Sequence, residues 1–141
     1  MAKLHAGVWG DQDDADTFAT VKAALDAGVN FFDNAEMYGD GYAETVMGRA
    51  LKASGYKRED YVIATKVCET YLAPDLVEKQ IDASLARMDC EYIDLYQIHW
   101  HSRAGLKTEK YPERPLSAEV PLKDTLLKLQ EIQATGKIRH I

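Results

Sequence analysis

The 141-residue sequence has little cysteine and no long hydrophobic run. Its two cysteines, Cys68 and Cys90, are too few and too far apart for a zinc knuckle or a CxxC redox pair, so we interpret them as small core or surface residues. No apolar run approaches the roughly 20 residues that a membrane-spanning helix needs, and the start lacks the basic-then-apolar order of a secretory signal. The sequence therefore predicts a cytoplasmic protein with no membrane partner.

Positive charge is also scarce, since 17 Lys and Arg stand against 23 Asp and Glu and the formal net charge is −6. Nucleic-acid-binding proteins need clustered basic side chains, because these release the counterions that surround the phosphates. No stretch of this sequence supplies such a cluster, so nucleic acid is not an expected partner. With 46% hydrophobic and 28% charged residues, the composition is that of an ordinary soluble domain.

Short apolar runs alternate with stretches of helical periodicity, which is the order of a parallel α/β sheet. The runs of strand length are residues 6–9, 30–33, 61–66, 92–99 and 138–141. The amphipathic stretches between them place apolar residues on one helical face: Phe18, Val21 and Leu25; Val46, Met47, Ala50 and Leu51; Val77, Ile81, Leu85 and Met88; and Leu122, Leu126, Leu129 and Ile132. Residues 100–121 are polar and irregular, and a segment of that length predicts a functional loop.

The number of units predicts the architecture. A closed (β/α)8 barrel takes roughly 250 residues, so this sequence is about half of one. We predict an α/β fold of the parallel (β/α)8 TIM-barrel type, of which only about the first half is here, four βα units plus a fifth strand. Residues 1–141 then form a single partial barrel domain, truncated on its C-terminal side. Because unpaired strand edges invite pairing, we also expect self-association through open edges; a pairing of two copies or a small open sheet are the alternatives.

Three predicted strands end in a polar residue at the same phase. Asp33, Lys66 and His99 follow one another at intervals of 33 residues. In a barrel of parallel strands, the carboxyl ends meet at one rim, which is where such enzymes place their active sites. Tyr38 lies five residues after Asp33 in a loop with two glycines, whose conformational freedom lets the loop fold back over the rim. We therefore expect these four side chains to converge.

The chemistry of the four groups favours one reaction type. Tyr38 has a weakly acidic hydroxyl, and a neighbouring ammonium such as that of Lys66 would stabilise its phenolate and assist proton donation. Asp33 would keep Lys66 charged at a partly buried rim. His99 could donate a hydrogen bond to a carbonyl oxygen. The set protonates an oxygen and offers no good nucleophile, so it suits reduction of a carbonyl by a hydride brought from elsewhere.

Three stretches resemble segments of the aldo-keto reductase family. GVNFFDNAEMYGDGYAETVMG is similar to the family's first signature, with Asp33, Tyr38, Glu44 and Gly48 at matching positions. VIATKV and DLYQIHWH resemble its lysine and histidine segments. The resemblance implies an oxidoreductase that reduces an aldehyde or ketone to an alcohol, with NADPH (NADP) as cofactor and a small-molecule carbonyl as substrate.

The same resemblance implies residue roles. Tyr38 is then the proton donor, Lys66 and Asp33 tune it, and His99 orients the carbonyl; Asp33 also contacts the cofactor. Trp100 would form the wall of the substrate pocket together with Tyr38 and His99, or else pack in the core, and Trp9 would lie near the nicotinamide. Glu44 is either a charge at a helix start or a contact to the ribose or adenine of the cofactor.

Other readings remain open. His101 shares the strand phase of His99, so the two histidines with Asp33 could instead hold zinc and activate water, although no third good ligand is evident and the expected metal content is none. A non-catalytic regulatory or binding protein on the same fold, like the channel-associated members of the family, is a further alternative, as is an inert truncated product. Because most of the family's cofactor site belongs to the second half of the barrel, we expect the isolated chain to be inactive.

Overall fold

The computed structural model describes residues 13–102 and 119–141. Within them, helices and strands alternate along the chain: α1 Asp14–Asp26, β1 Phe31–Asp33, α2 Tyr42–Ala53, β2 Val62–Val67, α3 Pro74–Met88, β3 Ile93–Ile98, α4 Leu122–Ala134 and β4 Ile138–His140. Two short 3-10 turns, Arg58–Asp60 and Glu69–Tyr71, flank β2. The predicted strand over 6–9, which contains Trp9, and most of the predicted loop over 100–121 lie outside the described residues.

The four strands form one parallel sheet in the order β1-β2-β3-β4. Each strand therefore pairs with the one that precedes it in the sequence, and a helix lies in each connection, as in the first units of a (β/α)8 barrel. The register aligns Asp33 with Ala64 and Lys66 with Gln97. The predicted parallel α/β class is confirmed.

The helices begin where the sequence supplies suitable first residues. The Asp13 carboxylate accepts a hydrogen bond from the Ala15 amide at 2.9 Å and caps α1, and Pro74 occupies the first turn of α3, where its missing N–H costs nothing. Gly28 follows α1 in the left-handed region, with φ +87°. Among the described helices, none is both long and apolar enough to cross a membrane.

The helices bury their apolar faces against the sheet. Helix–sheet burial is the main stabilising contribution in such folds, because apolar surface leaves water. The largest buried side chains include Leu51, Ile63, Ile81, Met88, Ile93, Tyr96, Leu129 and Ile138. The helical faces predicted for the first three helices therefore point to the core as expected.

Helix α4 differs from its predicted orientation. The prediction is confirmed for Leu129 and Ile132, which are buried, and wrong for Leu122 and Leu126, which are 53% and 36% exposed. Thr125 is fully buried instead, and its hydroxyl donates a hydrogen bond to the Leu72 carbonyl oxygen at 2.8 Å. This bond sets the rotation of α4, so that its core face runs through Thr125, Leu129 and Ile132.

Candidate active site

The carboxyl end of the sheet carries the predicted polar residues. Asp33 is the last residue of β1, Lys66 is the penultimate residue of β2, and His99 directly follows β3. The His99 amide donates to the Val67 carbonyl oxygen at 2.9 Å, which continues the ladder between β2 and β3 by one residue. The parallel register therefore brings all three residues to one end of the sheet, as the spacing predicts.

Lys66 and Asp33 form an ion pair at this end. The Lys66 Nζ atom lies 2.5 Å from Asp33 Oδ2 and also donates to the Asn34 carbonyl oxygen at 2.8 Å. The Lys66 side chain is 13% exposed, whereas that of Asp33 is 47% exposed. The structure therefore pairs Lys66 with Asp33, and the two acceptors hold the largely buried Nζ atom in place.

Gln97 is a site residue that the sequence reasoning missed. Its Nε2 atom donates to Asp33 Oδ1 at 3.1 Å, so each oxygen of the Asp33 carboxylate has a hydrogen-bond donor. The signal was available, because Gln97 precedes His99 by two residues and two residues along a strand return to the same face. Gln97 therefore fixes the orientation of the carboxylate that holds Lys66.

Tyr38 reaches the same place through the loop after β1. The loop turns back in the left-handed region, with φ +58° at Gly39, +52° at Asp40 and +83° at Gly41. The Tyr38 ring then lies with its centroid 5.5 Å from Lys66 Nζ and 5.8 Å from the centre of the His99 imidazole, to which it is nearly perpendicular at 80°. The four predicted residues are thus brought together, with Tyr38 44% exposed at the mouth of the group.

The surroundings of His99 lower its pKa and so disfavour its charged form. Partial burial lowers the pKa of His99 below its usual value, and the positive charge of Lys66 lowers it further, while Glu36, Glu69 and Asp33 act in the opposite direction. Its Nδ1 atom is buried and has no hydrogen-bond partner within the described residues. A neutral imidazole has one N–H donor, so His99 can donate a hydrogen bond to an oxygen without itself carrying charge.

The remaining predicted residues have different outcomes. Trp100 is 51% exposed and stacks on His99 with ring centres 5.7 Å apart, so the core-packing alternative for it is wrong. Trp9 lies outside the described residues.

Glu44 is fully buried in the first turn of α2 and accepts hydrogen bonds from Thr65 Oγ1 at 2.5 Å and Arg87 Nε at 2.6 Å. The interpretation of Glu44 as a charge at a helix start is therefore confirmed, whereas a side chain with no exposed surface is not placed to contact a cofactor.

The zinc alternative finds no support in this geometry. Across residues 13–102 and 119–141, no three His, Cys, Asp or Glu side chains are grouped closely enough to hold a metal ion. Both carboxylate oxygens of Asp33 are already bonded, to Lys66 and Gln97. The arrangement instead brings a phenol, an amine and an imidazole together at one end of the sheet, and such a set can place a proton on an oxygen and orient it.

Known proteins of one family match this chain along its length. The profile of the Aldo/keto reductase family matches residues 3–141. Aldo-keto reductase YhdN from Bacillus subtilis is 34% identical over 142 residues, which cover 95% of this chain and 38% of YhdN. A probable voltage-gated potassium channel subunit beta from Oryza sativa is 36% identical over 110 residues, which cover 70% of this chain and 34% of that protein. The chain therefore spans less than two fifths of the length of these relatives.

Solved structures give the same result. The thermostable aldo-keto reductase Tm1743, solved with the inhibitor epalrestat, superposes with a TM-score of 0.74 at 33% identity, over 89% of this chain and 40% of that one. An aldo-keto reductase from Klebsiella pneumoniae in complex with NADPH gives a TM-score of 0.73 at 28% identity, over 89% of this chain and 38% of that one. The predicted partial barrel is confirmed, and the chain belongs to the aldo/keto reductase family.

Proposed function

We propose that the protein reduces an aldehyde or ketone to an alcohol with NADPH as the hydride source, and that Tyr38 donates the proton. The observation that carries the proposal is the position of the Tyr38 ring. Its centroid lies 5.5 Å from Lys66 Nζ and 5.8 Å from the centre of the His99 imidazole, and Tyr38 is 44% exposed. This is the combination that carbonyl reduction needs, because the oxygen of the substrate must be both oriented and protonated.

Each residue has a part in the proton transfer. The Tyr38 hydroxyl gives its proton to the carbonyl oxygen of the substrate. Lys66 stabilises the phenolate that forms, because a positive charge close to the ring favours the ionised phenol. Asp33 and Gln97 act indirectly. The Asp33 carboxylate accepts a hydrogen bond from Lys66, and Gln97 orients that carboxylate by donating to its other oxygen. Lys66 also donates to the Asn34 carbonyl oxygen, so its position is set by two elements.

His99 has an orienting part. Burial and the nearby Lys66 lower the pKa of His99, which favours the neutral ring, and the N–H of a neutral ring can bond the carbonyl oxygen without adding a second full charge. Trp100 stacks on the imidazole and is half exposed, so it can form a wall for the substrate next to His99. The geometry supports a small-molecule carbonyl as the substrate class.

The residues at this end fit one part of NADPH. Bound NADPH would supply a hydride to the carbonyl carbon. Asp33 is half exposed beside Gln97 and could border the nicotinamide ring. Lys66, the cation of the group, is already paired with Asp33, so these residues offer no free positive charge to the phosphates of the dinucleotide. We therefore expect the 141-residue polypeptide alone to bind NADPH weakly and to turn over slowly or not at all.

Two measurements on the same preparation test the proposal. Fluorescence titration measures NADPH binding, and the loss of NADPH absorbance in the presence of benzaldehyde measures turnover. Both are run on the 141-residue polypeptide and on a chimera in which the later barrel segments of YhdN follow it. We expect tighter binding and benzaldehyde-dependent NADPH consumption in the chimera. A folded chimera that binds NADPH and consumes none with any aldehyde or ketone would contradict the proposal.

That contradictory result would favour a second candidate. The similarity to the channel subunit from Oryza sativa supports a non-catalytic role, in which the fold binds a partner protein. Binding of NADPH without turnover, in a protein whose Tyr38 ring still contacts His99, would be its signature.

Self-association and cytoplasmic location stay predictions. Val29 and Phe31 at the start of β1 are each about half exposed, and they are the apolar side chains that would take part in such a contact. Light scattering over a range of concentrations would test it, and a monomer at every concentration would contradict it.

A further inference from the structure

A buried ion pair lies beneath the loop that carries Tyr38. Glu44, in the first turn of α2, has no exposed surface, and its two carboxylate oxygens are bonded to different elements. Oε1 accepts from Thr65 Oγ1 in β2 at 2.5 Å, and Oε2 accepts from Arg87 Nε in α3 at 2.6 Å. Arg87 Nη2 donates in addition to Ser84 Oγ at 3.0 Å. One carboxylate therefore ties three elements together.

Arg87 also lies directly against the backbone of the Tyr38 loop. A Cβ atom added to Gly41 would be 2.4 Å from Arg87 Cδ, so the arginine stem packs on Gly41 with no space between them. The carbonyl oxygens of Tyr38 and Gly41 accept hydrogen bonds from the Ala43 and Thr45 amides at 3.2 and 3.1 Å. The loop is thus hydrogen-bonded to the first turn of α2, and the Arg87 side chain packs against it at Gly41.

The other end of the connection reaches Lys66. Thr65 directly precedes Lys66 in β2, and successive strand residues point to opposite faces of a sheet. Glu44 is therefore bonded to the helix-facing side of the strand that presents Lys66 at the opposite face. The Glu44 carboxylate is thus linked to the Tyr38 loop through Arg87, which packs on Gly41. It is linked to the strand segment next to Lys66 through Thr65.

We propose that the Glu44–Arg87 ion pair is a positioning device that sets the separation of Tyr38 from Lys66 and His99. This inference rests on the proposed function only for the importance of that separation to proton transfer. Burying two charges is costly, and apolar residues of the same volume often give equal stability. An ion pair whose carboxylate is fully buried, like that of Glu44, can instead serve to define one geometry. Removing either partner releases the loop, and Tyr38 moves away from the imidazole.

The position of Tyr38 can be measured without turnover. The Tyr38 ring is nearly perpendicular to the His99 ring at 5.8 Å, so its ring current shifts the His99 proton–carbon resonances in NMR spectra. Tyr38→Ala calibrates the signal, because it removes that ring current altogether. The displacement of the His99 resonance in any other variant then reports how far Tyr38 has moved.

Arg87→Met and Glu44→Gln are the principal variants. We expect the His99 resonance to move more than halfway to its position in Tyr38→Ala, in folded protein. Arg87→Lys keeps a cation opposite Glu44 and should return most of the shift. Thr65→Val, which removes a single hydrogen bond at nearly constant volume, gives a smaller displacement in the same direction and serves where the larger changes prevent folding.

Arg58→Met is the matched control. It breaks a second partly buried pair, Arg58 Nη2 to Asp94 Oδ2 at 2.5 Å, which lies at the opposite end of the sheet. We expect the His99 resonance to stay at its wild-type position in this variant, whatever the loss of stability.

Two results would overturn the positioning role. One is a wild-type His99 resonance in folded Thr65→Val and in whichever of Arg87→Met and Glu44→Gln fold; the other is an equal displacement in Arg58→Met. The test is separate from the proposed function. If the resonance moves as expected in a protein that reduces no carbonyl, the positioning role stands and the proposed activity fails.

In active protein, the proposal has a kinetic counterpart. A small misplacement of a reacting group lowers the rate of chemistry far more than it lowers binding, so Arg87→Met should reduce kcat on the order of 100-fold with little change in KM for benzaldehyde. Arg87→Lys should recover most of this loss, whereas a merely structural arginine would give the same kcat per folded molecule in both variants.

Discussion

The two ends of the sheet each hold an ion pair with the same separation, yet the carboxylates of the two pairs differ in exposure and in the number of their hydrogen-bond donors. At the carboxyl end, Lys66 lies 2.5 Å from Asp33, but Asp33 is half exposed and the neighbouring His99 Nδ1 atom lacks a partner within the described residues. At the amino end, Arg58 lies 2.5 Å from Asp94, which is 10% exposed at the side chain. Distance alone therefore does not distinguish a reactive pair from a structural one.

At the amino end, the Asp94 carboxylate has several partners. Asp94 accepts hydrogen bonds from the Ile63 amide at 2.9 Å and from Arg139 at 3.4 Å, in addition to that from Arg58. The Tyr92 ring lies between the two guanidinium groups, 3.9 Å from Arg58 and 3.5 Å from Arg139. In barrels of this type, the carboxyl ends of the strands carry the chemistry and the amino ends serve stability. The difference between the half-exposed Asp33 and the largely buried Asp94 follows this division.

The largest expected effect is at the carboxyl end and concerns activity. Tyr38→Phe removes the hydroxyl that donates the proton, and loss of a general acid lowers the rate on the order of 1,000-fold. NADPH affinity and the thermal midpoint should hardly change, because the phenol is 44% exposed. Steady-state kinetics with benzaldehyde in the chimera measures the effect. Undiminished turnover would remove Tyr38 from its assigned role.

The second effect is at the amino end and concerns stability. Asp94→Ala leaves the Ile63 amide without its acceptor and the two arginines without their shared carboxylate, so we expect a loss of about 3 kcal/mol in the free energy of unfolding. Urea titration followed by circular dichroism measures it. The His99 resonance should be unmoved at temperatures where the variant is folded, and a displacement there would show that the two ends are coupled.

A third, smaller effect tests packing near the same amino end. A Cβ atom at Gly48 would lie 2.3 Å from the Met88 carbonyl oxygen, because α2 and α3 approach each other at this point. Gly48→Ala forces the helices apart and should cost about 2 kcal/mol. Alanine at the exposed Lys52 in the same helix provides the control for helix propensity. An equal unfolding free energy for wild type and Gly48→Ala would contradict the close approach.

The smallest effect is a titration at the carboxyl end. The pKa of His99 is lowered by burial first and by Lys66 second, so Lys66→Met should raise it only part of the way towards its usual value. NMR titration of the imidazole resonances measures both proteins. A lowered pKa means that the unfolded chain binds the proton more readily. The contribution of His99 to stability is therefore complete above about pH 6.5 and declines as the pH falls towards the lower, folded value. An unchanged His99 pKa in Lys66→Met would show that Lys66 does not lower the pKa of His99.

Much of the carboxyl end could be predicted from the sequence. The regular interval between Asp33, Lys66 and His99 is one βα unit, and parallel strands in sequential order convert that interval into adjacency. Tyr38 follows in a short loop, whose glycines indicate a tight return. These relations depend on local patterns and on one topological rule, which is why they could be derived without coordinates.

The support beneath the site could not be predicted in this way. Glu44 and Arg87 are 43 residues apart and lie on different helices, so their contact depends on how far each helix is rotated about its axis. Periodicity sets that rotation only approximately. The same limit accounts for α4, where the leucine pattern favours Leu126 and the single hydrogen bond from Thr125 to Leu72 selects the other face.

The two cysteines offer a consequence for experiments on local opening. Cys68 follows β2 at one end of the sheet, and Cys90 follows α3 at the other. Burial raises the pKa of each thiol to about 11, so both are almost entirely protonated at neutral pH and slow to react with alkylating reagents in the native state. The rates at which Cys68 and Cys90 are alkylated would therefore report how often each end of the sheet transiently unfolds, without any introduced probe.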